Sequence, residues 1–217
     1  MNNSTKANAI KIKKLVSTAS EMFPDAYCEL NFRNVYELTV AVILSAQTTD
    51  PSVNKVTTRL FESYPDPQSL ALADQTTLEN IIKSIGLFKT KAMHLIELAK
   101  ILVEKYEGQI PSDFDTLKSL PGIGRKTANV ILSVGFNLPG LAVDTHVLRV
   151  SVRYGVVELD ADPNKTEMIL KEALPQEQWG IAHHAILFFG RYHCTARSPK
   201  CDNCLLSKEC RYKKMNP

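Results

Sequence analysis

Four cysteines fall within one short stretch near the end of the chain. Cys194, Cys201, Cys204 and Cys210 follow the spacing C-x6-C-x2-C-x5-C. Thiolates are soft ligands, and the two-residue gap lets Cys201 and Cys204 bind from one tight turn, so the four can surround one metal centre. Structural zinc usually shows two C-x2-C knuckles, and only one is present here. An iron–sulfur cluster fits the spacing equally well. Zinc and cluster both stay open on spacing, well ahead of a pair of disulfides. His193, next to Cys194, can replace a ligand in a zinc site or stand behind the ligands. Cys28 lies far away and reads as a small buried hydrophobe.

A second group is LPGIGRKTA, residues 120–128. Gly122 and Gly124, on either side of Ile123 and just after Pro121, let the backbone turn sharply and come close to a ligand. The amides of Ile123, Gly124 and Arg125 are expected to point outward at the start of a helix. That makes a phosphate cradle by geometry and by dipole. Arg125 adds charge, although an ordinary helix–helix turn also carries glycine. Lys126 would stand in the first turn of that helix, facing the positive end of the dipole and beside Arg125. Both effects disfavour the ammonium. A neutral amine there is a nucleophile toward a sugar C1′ carbon; the plainer reading is one more cation on a solvated surface. A third group is Val143-Asp144-Thr145-His146-Val147. Asp144 reads first as a helix N-cap. It also sits between apolar stretches, where a carboxylate is costly unless it has partners or work.

The elements that must carry these groups are helical almost throughout. In 92–103 the apolar residues Ala92, Leu95, Ile96, Ala99, Leu102 and Val103 line one helix face. Similar stretches occur near 8–22, 34–46, 52–63, 76–84, 114–120, 124–135, 145–154, 164–173 and 178–190. Asp50-Pro51, Ser112-Asp113 and Asp162-Pro163 read as helix starts. Val35 to Leu44 is rich in Val and Ile like a strand, but it runs into Ser45-Ala46-Gln47 without a turn residue and is expected to be a buried helix. The fold class is all-α, with about ten short helices. Breaks at Phe23-Pro24-Asp25 and Asn137-Leu138-Pro139-Gly140 suggest a helical unit over 28–138 and a second unit formed by 1–27 together with 139–217.

The chain has 217 residues, 44% hydrophobic and 23% charged, with a net charge of +3. This excludes a disordered or fibrous chain, and no apolar run reaches the ~18–20 residues of a membrane span. The small net charge hides an asymmetry: residues 1–14 carry +4, residues 191–217 carry +5, and the middle carries −6. If the two ends fold together they form a positive patch suited to a polyanion; otherwise they are solvated tails. Five cysteines and no apolar leader point to a reducing, cytoplasmic setting rather than a disulfide framework.

LPGIGRKTANVIL (120–132), AVDTHVLRV (142–150), the cysteine tail, LSAQTTDPSVNK (44–55) and IGLFKTKA (85–92) together resemble the endonuclease III family. These are helix–hairpin–helix DNA glycosylases with an iron–sulfur cluster. The resemblance covers nearly the whole chain, with the motifs in order. It implies two helical domains with a DNA-binding cleft between them: a six-helix domain with the helix–hairpin–helix, and a helical iron–sulfur domain. It implies base-excision repair of oxidised pyrimidines, with Lys126 attacking C1′ and forming a Schiff base, and Asp144 assisting it and stabilising charge on the sugar. It implies that Cys194, Cys201, Cys204 and Cys210 hold a [4Fe-4S] cluster, which breaks the tie with zinc. It places Gln47 and Leu87 in the duplex where the base has left, and His146 beside the pocket. The plain readings are a core position for Leu87 and a helix-end polar residue for Gln47. Pro121, Gly122, Ile123, Gly124 and Arg125 would hold the DNA backbone. The implied partner is double-stranded DNA with damaged pyrimidines or abasic sites, bound by a monomer with no membrane association. Phe88 replaces a common Tyr and Lys89 a common small polar residue. An adenine mismatch glycosylase shares the turn, the Asp and the cysteines but lacks this lysine. A non-catalytic helix–hairpin–helix module has no use for Lys126 and Asp144 together.

Overall fold

A computed structural model of the chain describes residues 3–216. The described residues form twelve α-helices and no strand, so the all-α expectation holds. They divide into two compact units, Glu29–Leu138 and a second made of the chain through Cys28 with everything from Pro139 on.

Helix α1 (Asn3–Met22) buries Ile12, Leu15, Val16 and Ala19, one face of a helix. The Glu29–Leu138 unit begins with α2 (Val35–Leu44), capped by Asn34, whose side chain accepts from the Glu37 amide. Every residue from Tyr36 to Leu44 is buried. A helix surrounded by core needs no polar face, which is why its composition looks like a strand. Then come α3 (Asp50–Ser63), α4 (Pro67–Ala71), α5 (Gln75–Ile82), α6 (Phe88–Tyr106), α7 (Phe114–Ser119) and α8 (Arg125–Val130), which runs on as a π-helical turn, Ile131–Gly135. Five residues are too few to show a period, and α4 has no counterpart among the apolar stretches of the sequence. A capping box between Asp66 and Ser69, with Pro67 in the first turn, sets it. Of the expected helix starts, Asp113 and Asp162 are N-caps. Asp50 is instead the first helical residue of α3, after Thr49, whose side chain makes no cap bond.

The other unit adds α9 (Thr145–Tyr154), α10 (Pro163–Ala173), α11 (Trp179–Phe188) followed by a π-helical turn (Phe189–His193), and α12 (Arg211–Met215). Its core joins α1 to Val147, Val150, Leu170, Ala182, Ile186, Phe189 and Leu206, with Cys194, Cys204 and Cys210 packed against it. Gly190 lets the π turn lie directly on α9, because a Cβ there would stand 3.0 Å from His146 Cβ and from the His146 carbonyl oxygen.

The basic N-terminal segment therefore does share a unit with the basic C-terminal one. Part of its charge is committed to the fold, however. Lys11 Nζ donates to the Gly155 carbonyl at 3.3 Å and lies 4.8 Å from the centre of the Tyr154 ring, and Lys14 pairs with Glu209 at 2.5 Å. No helix among the described residues is long and apolar enough to cross a membrane.

Candidate functional site

The turn between α7 and α8 begins with a firmly held helix. The Asp113 carboxylate accepts from the backbone and hydroxyl of Thr116 at 2.8 and 2.7 Å, and Leu117 is fully buried. Gly122 follows at φ +75°, and a Cβ there would lie 3.2 Å from Ile43 Cγ2 and 3.3 Å from His94 Cβ. Only glycine meets both demands without strain. The expected row of outward amides needs correction at its first member. The Ile123 N–H donates to the Leu120 carbonyl at 3.1 Å and its side chain is buried, so Ile123 anchors the turn and its amide is not on offer to a ligand. Gly124 is the N-cap of α8, extended, with no side chain capping the helix. The space where its Cβ would stand is open for 4 Å. The Arg125 guanidinium lies over the Phe114 ring, 5.4 Å from its centre. Pro121 is half-buried and Lys126 is exposed.

Two further loops of the same unit are strained. Gln47 has φ +54° and Leu87 φ +58°, the left-handed region that costs a non-glycine residue about 1–3 kcal/mol. Gln47 is exposed, and Leu87 is 57% exposed, so the core reading of Leu87 fails. An apolar side chain pushed into water on a strained backbone is built for something other than packing.

In the other unit, Asp144 is the N-cap of α9. Its Oδ1 accepts from the His146 and Val147 amides at 2.9 and 2.8 Å. Capping is therefore real, and it uses one carboxylate oxygen. His146 is half-buried, and its Nδ1 lies 3.2 Å from an Arg149 guanidinium nitrogen. Burial holds the imidazole below its ordinary range, with Arg149 and Arg191 adding to the effect and Asp144 opposing it. Burial thus favours the neutral imidazole at His146.

The cysteine loop is stapled by two arginines one turn apart on α9. Arg149 donates to the carbonyls of Cys194 (3.1 Å) and Gly190 (2.6 Å), and Arg153 to those of Thr195 (2.7 Å) and Ala196 (2.8 Å). Sequence reasoning passed over both, although an i,i+4 pair of Arg on a helix just after Asp144 was the available signal. All four cysteines line one pocket, with Val150, Tyr154, Phe189 and Leu206 among its walls.

Residues 40–176 match the HhH-GPD superfamily of base excision DNA repair proteins, and residues 194–210 match the iron–sulfur binding domain of endonuclease III. Endonuclease III of Bacillus subtilis (strain 168) is 46% identical over 204 residues, 94% of this chain and 93% of its own. This chain belongs to the endonuclease III family. A trapped endonuclease III–DNA covalent intermediate, solved as an estranged-adenine complex, superposes with a TM-score of 0.93 at 48% identity, covering 96% of this chain and 98% of that one. A thermostable thymine-DNA glycosylase reaches a TM-score of 0.86 at 25% identity, covering 94% and 97%. The endonuclease III family consists of DNA glycosylases with AP lyase activity that repair oxidised pyrimidines and hold a [4Fe-4S] cluster, and the chain is such an enzyme.

The cysteine pocket fits the endonuclease III cluster: four soft thiolate donors line it together. Burial raises the Cys194 and Cys204 thiols above their ordinary range, with Arg153 offsetting part of this at Cys194. Coordination by a strongly positive group reverses that preference. His193 lines the same pocket, and its Nε2 is buried without a hydrogen-bond partner, which suits sulfur acceptors there.

Proposed function

We propose that Lys126 is the nucleophile of this enzyme and Asp144 its assisting carboxylate. The Lys126 Nζ lone pair bonds to C1′, and the glycosidic bond breaks with its electron pair leaving on the base. Opening of the sugar ring puts a proton on O4′ and leaves an imine between Nζ and C1′. Loss of a C2′ proton then expels the 3′ phosphate by breaking the C3′–O bond, which nicks the strand. Water releases the lysine from the imine. Asp144 helps Lys126 into its neutral form and stabilises positive charge on the sugar while the base departs.

The remaining residues bind and orient. A duplex must give up the stacking of the target base, at a cost of a few kcal/mol that damage lowers. Gln47 and Leu87 fill the gap. Pro121, Gly122 and Ile123 shape the turn; the Gly124 backbone and Arg125 meet the phosphates, and His146 lies beside the pocket. Cys194, Cys201, Cys204 and Cys210 hold the cluster, which, when bound, shapes the loop that presents Arg197 and Lys200 to phosphates. We place the enzyme in the cytoplasm as a monomer; an odd number of cysteines, four of them grouped for a metal centre, and a DNA substrate support that setting.

The observation that carries this reading is Lys126 itself, exposed at the uncapped start of α8, three residues after the buried turn residue Ile123. Base release from a duplex with a single thymine glycol tests it. Asp144→Asn retains duplex affinity and slows release by at least about 10²-fold, the lower range for positioned proton-transfer groups. An Asp144→Asn variant as fast as wild type contradicts the assignment.

A further inference from the structure

Lys91 is only 4% exposed and lies on the buried face of α6. A buried ammonium is costly unless its donors are satisfied. Here Nζ donates to three oxygens: the Leu44 carbonyl at 2.8 Å, the Ala46 carbonyl at 2.7 Å and Thr48 Oγ1 at 3.1 Å. Burial lowers its pKa, and among the described residues it forms no ion pair with a carboxylate. The charge is therefore there for the oxygens. Leu44 is the last residue of α2, where a cation meets the negative end of the helix. The acceptors bracket Gln47 on both sides.

The same residue also touches the second strained loop. The Lys91 N–H donates to the Leu87 carbonyl at 3.0 Å. That bond is the first of α6 and any residue but proline would make it, so the side chain holds the turn of Gln47 directly and that of Leu87 through the neighbouring loop, the two with positive φ at 54° and 58°. The loops adjoin, since a Cβ on Gly86 would lie 3.9 Å from the Gln47 carbonyl oxygen.

We infer that Lys91 is the positioning residue that holds Gln47 and Leu87 in the conformation that enters the duplex. This rests on the reading of Gln47 and Leu87 as the residues that fill the gap. Lys91 itself touches no substrate.

Amide exchange and a mutant cycle on the cluster-loaded enzyme test the inference. In Lys91→Met, exchange at residues 46–48 rises at least about 10-fold while the other helices keep their protection. Base release from duplex slows about 10-fold in wild-type background, but by less than about 2-fold when Gln47→Ala and Leu87→Ala are already present, because coupled residues are not additive. Thr48→Val, which removes one acceptor and keeps the side chain's shape, gives the same signs at smaller size and serves if Lys91→Met does not fold. Unchanged exchange at residues 46–48, or losses that multiply in full, overturns the inference. If Gln47→Ala with Leu87→Ala releases base at the wild-type rate, the gap-filling reading falls first and takes the inference with it.

Discussion

Asp144 is a helix N-cap whose cap bonds both fall on Oδ1, so capping does not compete for the same oxygen with the chemistry proposed for it. That division is a matter of which atom faces which amide, and no spacing rule carries it. The cysteines were legible as a set because four soft ligands in 17 residues have few other uses, yet spacing alone could not choose between zinc and a cluster. The match of residues 194–210 to the iron–sulfur binding domain of endonuclease III decides for the cluster. The purified enzyme should therefore carry about four irons per chain. Cys28→Ser leaves that content unchanged, whereas Cys201→Ser lowers it and weakens DNA binding. Iron and acid-labile sulfide analysis decides, and one zinc with no iron overturns the assignment.

The helices were legible wherever one face is apolar over several turns, as in α1 and α6. They were not where a helix is short and set by its caps, as in α4; α2, buried all round, was legible as a helix only because no turn residue separates it from Ser45-Ala46-Gln47. The turn between α7 and α8 was legible as a turn, but not in which amides it consumes, because Ile123 closes back on Leu120. Its two glycines do different work, and substitution separates them. Gly122→Ala forces a Cβ onto Ile43 and His94 at positive φ and lowers stability by about 1–3 kcal/mol. Gly124→Ala meets open space at φ −90°, and its stability stays within about 0.5 kcal/mol of wild type. Its added methyl stands where a phosphate approaches, so affinity for undamaged duplex falls. Thermal melts with duplex titrations read both, and a Gly124→Ala enzyme that binds as wild type contradicts backbone contact at this turn.

At the scale of the whole chain, composition excluded disordered, fibrous and membrane classes, and the charge asymmetry pointed to a polyanion. What it could not foresee is that Lys11 and Lys14 serve the fold, through Gly155, Tyr154 and Glu209, before they serve any ligand. Lys91 was hidden for a related reason: it stands on the apolar face of α6, four residues before Leu95, where a lysine signals buried acceptors that only tertiary structure supplies. Lys126 and Asp144 lie in different units of the chain. The central claim is that Lys126 supplies the amine that bonds to C1′. Borohydride reduction on a duplex with one abasic site tests it, because it turns the imine into a permanent link between protein and DNA. Wild type is captured as a covalent adduct and nicks the strand; Lys126→Gln binds the same duplex but yields neither adduct nor nick. An adduct formed by Lys126→Gln would mean that another amine is the nucleophile.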